Sequence, residues 1–421
     1  MIDRQTTQRP AIKGWCPGAL RPMLSGDGLL VRIRPPMGLL TAGQATAIAQ
    51  AARTRGNGMI DLTSRANLQL RGIRPEAHAH LIADLKAQGL IDPDIETEAL
   101  RNLVVTPFRA GAGHHGPPAT RPPSPTLPPP TLLDDTGREA LGADDTDSLA
   151  TILTTALARM APLPGKFGFT LDTGPRPVLT QTPADIRLER DAAGGLILRP
   201  DGHGFGRRVT RDTLAAEAIL MARWFLDHGG APEGRGRMAA LIARGAVPQG
   251  CDTAPAPALP TPTPGLCPDG ALVAFAFGQI DAASLEALAS LGHALRLTPW
   301  RMVLLVGAAS LPDLPALITD PADPLLHVTA CTGAPGCPQA FGPTRTTART
   351  LAPHLPPGRR LHVSGCAKGC AHPAPADLTL VATPDGFDLV RHGCAADTPS
   401  HRALHPADLA PLLKDPDAPP V

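Results

Sequence analysis

DGLLVRIRPPMGLLTAGQATAIAQAA at residues 27–52 and DGALVAFAFGQIDAASLEALASLG at 269–292 decide the fold when read side by side. Each opens on Asp-Gly, runs along an apolar strand and continues into a helix. In the first copy, Thr41 with Gln44 three residues later is a capping-box pattern, and Gly56 is the stop. In the second, Asp281 is the candidate N-cap and Gly292 the stop. Two short strands follow in each, LTSRANLQLRG (62–72) and LTPWRMVLLVG (297–307), and then a second helix with Pro75 or Pro312 near its first turn. The unit reads strand–helix–strand–strand–helix, a ferredoxin-like α+β arrangement used twice.

A weaker repeat fills the intervals. A helical stretch ending at LPGKFGFTLD (163–172) parallels one ending at LPPGRRLHVSG (355–365), and PADIRL (183–188) parallels PADLTL (375–380). Four matches in one order predict an α+β chain of duplicated ferredoxin-like half-domains alternating with two larger α/β domains, A–B–A′–B′. The expected boundaries are an N-terminal arm at 1–24, A at 25–92, B at 93–245, a linker at 246–268, A′ at 269–320 and B′ at 321–421. Proline-rich runs at 111–131 and 246–270 cannot form helix or central strand, so they read as an insertion within B and as the connector.

Composition limits the functional classes. Fifty prolines and 42 glycines in 421 residues stay below the roughly 25–30% of a low-complexity chain, so the proline belongs to a globular protein of several domains. A formal net charge of +1 argues against a non-specific nucleic-acid or anionic-membrane partner, and any anionic ligand must meet a local basic cluster. The longest apolar stretch, near 302–309, is far short of the roughly 18 residues of a membrane span. The start, MIDRQTTQRP, lacks a signal-peptide core, so a cytoplasmic protein is expected.

Of eight cysteines, Cys16, Cys251, Cys267 and Cys394 are scattered, whereas Cys331, Cys337, Cys366 and Cys370 form C-x5-C-x28-C-x3-C. Structural zinc favours tighter knuckles in both pairs, and four thiolates also suit a [4Fe–4S] cluster with one iron per corner. Gly333, Gly336, Gly365 and Gly369 let the backbone wrap closely and aim amides at sulfur. Zinc and unligated buried thiols remain as alternatives. Only B′ carries these cysteines.

The second constellation is basic. Read as one strand, 62–72 places Arg65, Asn67, Gln69 and Arg71 on a single face, a stripe suited to bidentate capture of carboxylates. Arg32 and Arg34 are paired on the preceding strand, and Arg101, Asn102 and Lys166 are candidates to converge there. The A′ hairpin offers only Arg301, so the stripe is not a demand of the fold. His114, His115, His203 and His372 are single histidines with a weaker claim. No strand–GxGxxG–helix fingerprint appears, so reducing equivalents are expected from a partner.

With these residues in place, the chain resembles the sulfite/nitrite reductase haemoprotein superfamily over most of its length. The repeat order, the 62–72 stripe, Arg101–Asn102, the LP-x-KF of 163–167 and the four cysteines carry the resemblance. It implies that the cysteines hold a [4Fe–4S] cluster, with Cys370 bridging to sirohaem iron in the reductases. It also implies that Arg65, Arg101 and Lys166 line an oxyanion site, and that the arginine-rich strands grip a tetrapyrrole's carboxylates. Within the superfamily, WCPGALRPMLSGDGLLVRIRP (15–35), NLQLRG (67–72) and CAKGCAHP (366–373) are most similar to the oxygen-dependent precorrin-3B synthases. That family implies the cluster, a mononuclear non-haem iron, and hydroxylation of precorrin-3A at C20 with γ-lactone closure, driven by an NADH-linked donor or reductase. Gly168 stands where a reductase commonly has a second lysine, and Lys368 where it has Asn, so the anion-reducing alternative loses one cation. Lys368 joins the candidate substrate contacts. A sirohaem-dependent sulfite or nitrite reductase is the runner-up, and a zinc- or cluster-stapled scaffold or electron carrier is the third reading.

Overall fold

Strand Gly28–Ile33 pairs antiparallel with Leu68–Ile73, which pairs with Met59–Leu62, and this alternating apolar pattern builds the first of four five-stranded sheets in the computed structural model. Residues 17–109, 145–174 and 176–414 are described. The proline-rich run 111–131 with His114 and His115, and Cys16, lie outside them. Val31, Ile33, Ile60, Leu62, Leu68 and Leu70 share one buried face of the sheet. They pack on the helices Ala42–Arg55 and His78–Ala87. The first of these carries the expected capping box, Gln44 N donating to Thr41 Oγ1 (3.1 Å) and Thr41 N to Gln44 Oε1 (3.0 Å), and stops at Gly56.

The third sheet repeats the strands of the plan with Gly265–Cys267, Gly270–Ala274, Met302–Val306 and Leu295–Leu297, but the helix expected near Pro312 does not form, because Pro312 and Pro315 interrupt the segment and Ile318 bridges Ala274 instead. The two copies exchange edges. Leu39–Leu40 from the first repeat completes the third sheet, and Gln279–Asp281 from the second completes the first. Helix Ala282–Ser290, capped by Asp281, packs directly on Ala42–Arg55, where the alanines of both allow close approach. One apolar core therefore spans both repeats. The expected linker 246–268 gives its last residues to the edge strand Gly265–Cys267, and the expected arm 1–24 likewise enters the strand Met23–Ser25. Both segments are short edge strands, each defined by pairing with the next strand of its own repeat.

The second and fourth sheets share a topology of their own. Leu103–Val105, Phe169–Asp172 and Ile186–Arg190 are parallel, and Leu196–Pro200 and Arg207–Arg208 return antiparallel. Val328–Ala330, Leu361–Ser364 and Ala376–Thr383 are again parallel, followed antiparallel by Gly386–Gly393 and His401–Leu404. The matched PADIRL and PADLTL stretches thus run into the middle strand of each sheet.

The two hairpin sheets differ on their second face. Leu272, Ala274, Met302 and Leu304 of the third sheet form a small apolar cluster with Ile318, whose segment bridges Ala274. The first sheet carries polar residues there, and this difference positions the site.

Among the described residues, no helix is long and apolar enough to cross a membrane.

Candidate functional site

The polar face of the first sheet is a ladder across four strands. Arg32 lies opposite Gln69, Gln69 opposite Asp61, and Asp61 opposite Gln279. With its amide oriented to satisfy both ends, Gln69 accepts from Arg32 Nε (3.2 Å) and Nη2 (2.7 Å). Asp61 accepts from Gln279 Nε2 (3.3 Å) and Arg345 Nη2 (2.9 Å).

The expected four-residue stripe on one strand is corrected here. Thr63 to Asn67 form a tight turn, with Ala66 in the left-handed region (φ 53°) and Thr63 Oγ1 accepting from Arg65 N and Asn67 N (3.2 Å each). Strand geometry begins at Leu68, so Gln69 and Arg71 stay on the ladder's face while Arg65 leaves it. The A′ hairpin has the same turn, with Arg301 (φ 61°) in Ala66's place.

Arg71 is 5% exposed and already occupied. Its Nε and Nη2 donate to the Asp27 carboxylate (2.9 and 3.0 Å), its Nη1 to Asp61 (3.4 Å), and its Nη2 also to the Gly336 carbonyl (3.2 Å). Ser25 Oγ donates to the same carbonyl (2.9 Å). Its guanidinium therefore ties the first sheet to the cysteine loop.

The cysteines meet for a topological reason. Cys331 and Cys366 follow the paired parallel strands Val328–Ala330 and Leu361–Ser364, so both emerge at the carboxyl end of the sheet, where open α/β sheets place their ligands. Gly365 N donates to Cys331 Sγ (3.2 Å), and a Cβ at Gly365 would lie 2.6 Å from Ala340 Cβ. Gly333 and Gly369 sit at φ 69° and 61°, turning the chain back after Cys331 and before Cys370. Burial pushes the Cys366 and Cys370 thiols up; the neighbouring cysteines add to this and Lys368 opposes it. Cys366 and Cys370 thus each feel the charge of Cys331, Cys337 and Lys368, and Lys368 is exposed. Arg301 Nη2 donates to the Ala371 carbonyl (3.1 Å), so each hairpin sends one arginine to one cysteine loop.

Among the described residues, no three His, Cys, Asp or Glu side chains gather round a single ion position. Four thiolates that each take a separate corner iron do not need such a position. Beneath the cysteine loops, His362 is fully buried with neither ring nitrogen bonded among the described residues, and burial holds its pKa down at about 4.

A cationic corner forms where the first and second sheets meet. Arg65 Nη2 donates to the Lys166 carbonyl (2.9 Å), and Asn102 Nδ2 to the Phe167 carbonyl (2.7 Å). The Lys166 side chain is exposed. Arg101 goes elsewhere, pairing with Asp92 (2.8 Å) and donating to the Arg34 carbonyl (2.6 Å). Arg34 donates to the Glu98 carbonyl. Arg34, Asn67 and Arg101 line one cavity of about 220 Å³ with Thr151 and Thr154 of helix Thr146–Leu157.

The structure therefore gathers Arg65, Asn102 and Lys166 at one corner, and Arg34, Asn67 and Arg101 round one cavity. Asp27, Asp61 and Arg345 were missed by sequence reasoning. Asp27 carries a signal in its Asp-Gly twin at Asp269; Arg345 carries none.

A family profile, the nitrite/sulfite reductase ferredoxin-like half domain, matches residues 21–88. Along most of its length the chain is similar to a precorrin-3B synthase from a Sinorhizobium species, 32% identical with 92% of this chain and 84% of the relative covered. A ferredoxin–nitrite reductase from Leptolyngbya laminosa is 35% identical over 94 residues, which is 22% of this chain and 18% of the relative. Among solved structures, the NirA protein of Mycobacterium tuberculosis is similar with a TM-score of 0.61 at 17% identity, covering 92% of this chain and 79% of that one. A likeness at that identity speaks for the fold.

Proposed function

This chain belongs to the precorrin-3B synthase family, and from that premise we propose that it is an oxidoreductase of the aerobic cobalamin pathway that hydroxylates precorrin-3A at C20. One atom of dioxygen becomes the C20 hydroxyl and the other leaves as water, with two electrons and one proton drawn from an NADH-linked donor and the second proton from solvent. The ring A acetate then closes the γ-lactone.

The observation that carries the reading is the tether between the two halves. The sheet that presents Arg32 and Gln69 is bonded through Arg71 and Ser25 to the loop between Cys331 and Cys337. A polycarboxylate macrocycle laid on the first sheet would sit beside the four thiols. Cys331, Cys337, Cys366 and Cys370 fit a [4Fe–4S] cluster, because a backbone amide is already aimed at Cys331 Sγ and Gly365 leaves no room for a side chain. When bound, such a cluster supplies electrons one at a time. The family's mononuclear iron finds no ligand set among the described residues.

The chain's own part is binding and orientation. Arg32, Arg65 and Lys166 offer charge to the substrate's carboxylates, and Asn67 and Asn102 add neutral donors. Lys368, exposed between Cys366 and Cys370, is the proposed contact for a carboxylate at the macrocycle's edge. Arg34 and Arg101 shape the adjoining cavity from beneath.

A sirohaem-dependent sulfite or nitrite reductase is the second reading, favoured by the half-domain match and weakened by Gly168. Incubating precorrin-3A with the enzyme and a reductant separates the two. Conversion that needs dioxygen supports the proposal; full conversion under argon sinks it.

A further inference from the structure

The backbone turn that carries Lys166 is clamped from behind. Asp185 is fully buried, and its Oδ2 accepts from Gly168 N (2.9 Å). Its Oδ1 accepts from Arg237 Nε (2.9 Å) and Met238 N (2.8 Å), and Arg237 Nη2 also donates to the Ala184 carbonyl (2.9 Å). The Asp185 backbone closes the ring, its N–H donating to the Gly168 carbonyl (2.7 Å). On the other side of the same turn, the Lys166 and Phe167 carbonyls receive Arg65 and Asn102. There is no slack for a side chain at 168: a Cβ would lie 2.9 Å from Asn102 Nδ2 and 3.3 Å from Arg65 Nη1.

We propose that the Asp185–Arg237 ion pair is a positioning device that fixes the Lys166–Gly168 turn, and through it the spacing of Arg65, Asn102 and Lys166 toward a carboxylate of the tetrapyrrole. This rests on the reading of that corner as a substrate contact. The physical reason is directional. Lys166 has a long side chain with four rotatable bonds, so its ammonium is useful only if its Cα is held. Asp185, just ahead of strand Ile186–Arg190, uses both carboxylate oxygens on backbone amides of two other elements, Gly168 ahead of strand Phe169–Asp172 and Met238 of helix Met238–Ala243. Arg237, one-third exposed, neutralises a charge that would otherwise be buried alone.

The test uses uroporphyrin III, a stable polycarboxylate tetrapyrrole, as the binding probe with the full chain. Arg237→Ala is expected to weaken its affinity about tenfold, the low end of what orienting partners cost a binding group. Arg237→Lys is expected to restore most of it. In a Lys166→Ala background the same truncation should cost clearly less than tenfold, because no ammonium is left to misplace and only Arg65 and Asn102 still depend on the turn. Amide exchange at Gly168, measured without any tetrapyrrole, should accelerate in Arg237→Ala; Arg237→Gln replaces it if the alanine variant does not fold. Wild-type affinity in Arg237→Ala, or losses that multiply independently with Lys166→Ala, would overturn the clamp while leaving the substrate corner standing. Wild-type protein that binds no uroporphyrin would instead remove the tetrapyrrole reading, and the binding role of the clamp with it.

Discussion

Replacing Arg71 by methionine keeps the volume and removes every donor. The side chain is 5% exposed, and its partners Asp27 and Asp61 are 19% and 11% exposed. After the change Asp27 retains only Asn57 Nδ2 (3.1 Å) among these contacts, while Asp61 keeps Arg345 (2.9 Å) and Gln279 (3.3 Å). Breaking a buried ion pair by removing one partner costs about 3–5 kcal/mol. Asp61 stays paired and Asp27 is not wholly dry, so the lower end applies, about 3 kcal/mol. The Gly336 carbonyl keeps Ser25 alone, so the loss should be felt first at 331–337. The assay is native-state amide exchange across that loop beside urea denaturation, because a chain of several cores need not unfold in one step. Asp27→Asn in the same molecule should recover part of the loss, with a coupling of about 2 kcal/mol. An Arg71→Met protein within about 1 kcal/mol of wild type, with losses additive to Asp27→Asn, would refute the tether.

Further outcomes follow from the same geometry. Gly365→Ala drives a methyl to within 2.6 Å of Ala340 Cβ and 3.4 Å of Cys331 Sγ, so iron bound per chain should fall well below wild type while far-UV dichroism is retained. Arg65→Ala should weaken uroporphyrin III binding by on the order of 1.5–3 kcal/mol if the guanidinium makes a charge-assisted bond; titration showing unchanged affinity would return Arg65 to a purely structural contact. Burial raises Asp172 from 3.8 to about 6, so the folded protein holds its proton more tightly and this group favours folding at low pH, an advantage lost as pH rises through 6. Asp172→Asn should therefore be the more stable protein at pH 8, by up to roughly 3 kcal/mol, with the difference closing below the ordinary aspartate pKa. A pH-independent difference between the two denaturation series would count against burial as the cause.

Much of this architecture is legible in residue order because it rests on local chemistry. Thr41 with Gln44, Asp281 and Gly56 mark helix ends through hydrogen bonds made within a few residues. The cysteine pairs show because they follow parallel strands, and the B repeat shows because the same strand sequence is used twice. What escapes is set by tertiary contact. Nothing in residue type marks Ala66 as left-handed, so the sequence reads as a continuous stripe with Arg65 on the strand. Arg71 meets a partner 44 positions away and a carbonyl 265 positions away, and a guanidinium's sequence neighbours do not reveal which carboxylate will take it. The exchanged strands Leu39–Leu40 and Gln279–Asp281 are too short to be strands except against the other copy. Asp185 and Arg237 likewise act through a glycine amide, which leaves no trace in residue type.

The proposed four-iron cluster on Cys331, Cys337, Cys366 and Cys370 lies beside the proposed tetrapyrrole face. Low-temperature EPR of the dithionite-reduced, anaerobically purified protein, with sulfide quantified on the same sample, tests it most directly. The account predicts a reduced-cluster signal with about four sulfides per chain, lost in Cys366→Ser. Stoichiometric zinc without sulfide, or a full signal that survives Cys366→Ser, would contradict it.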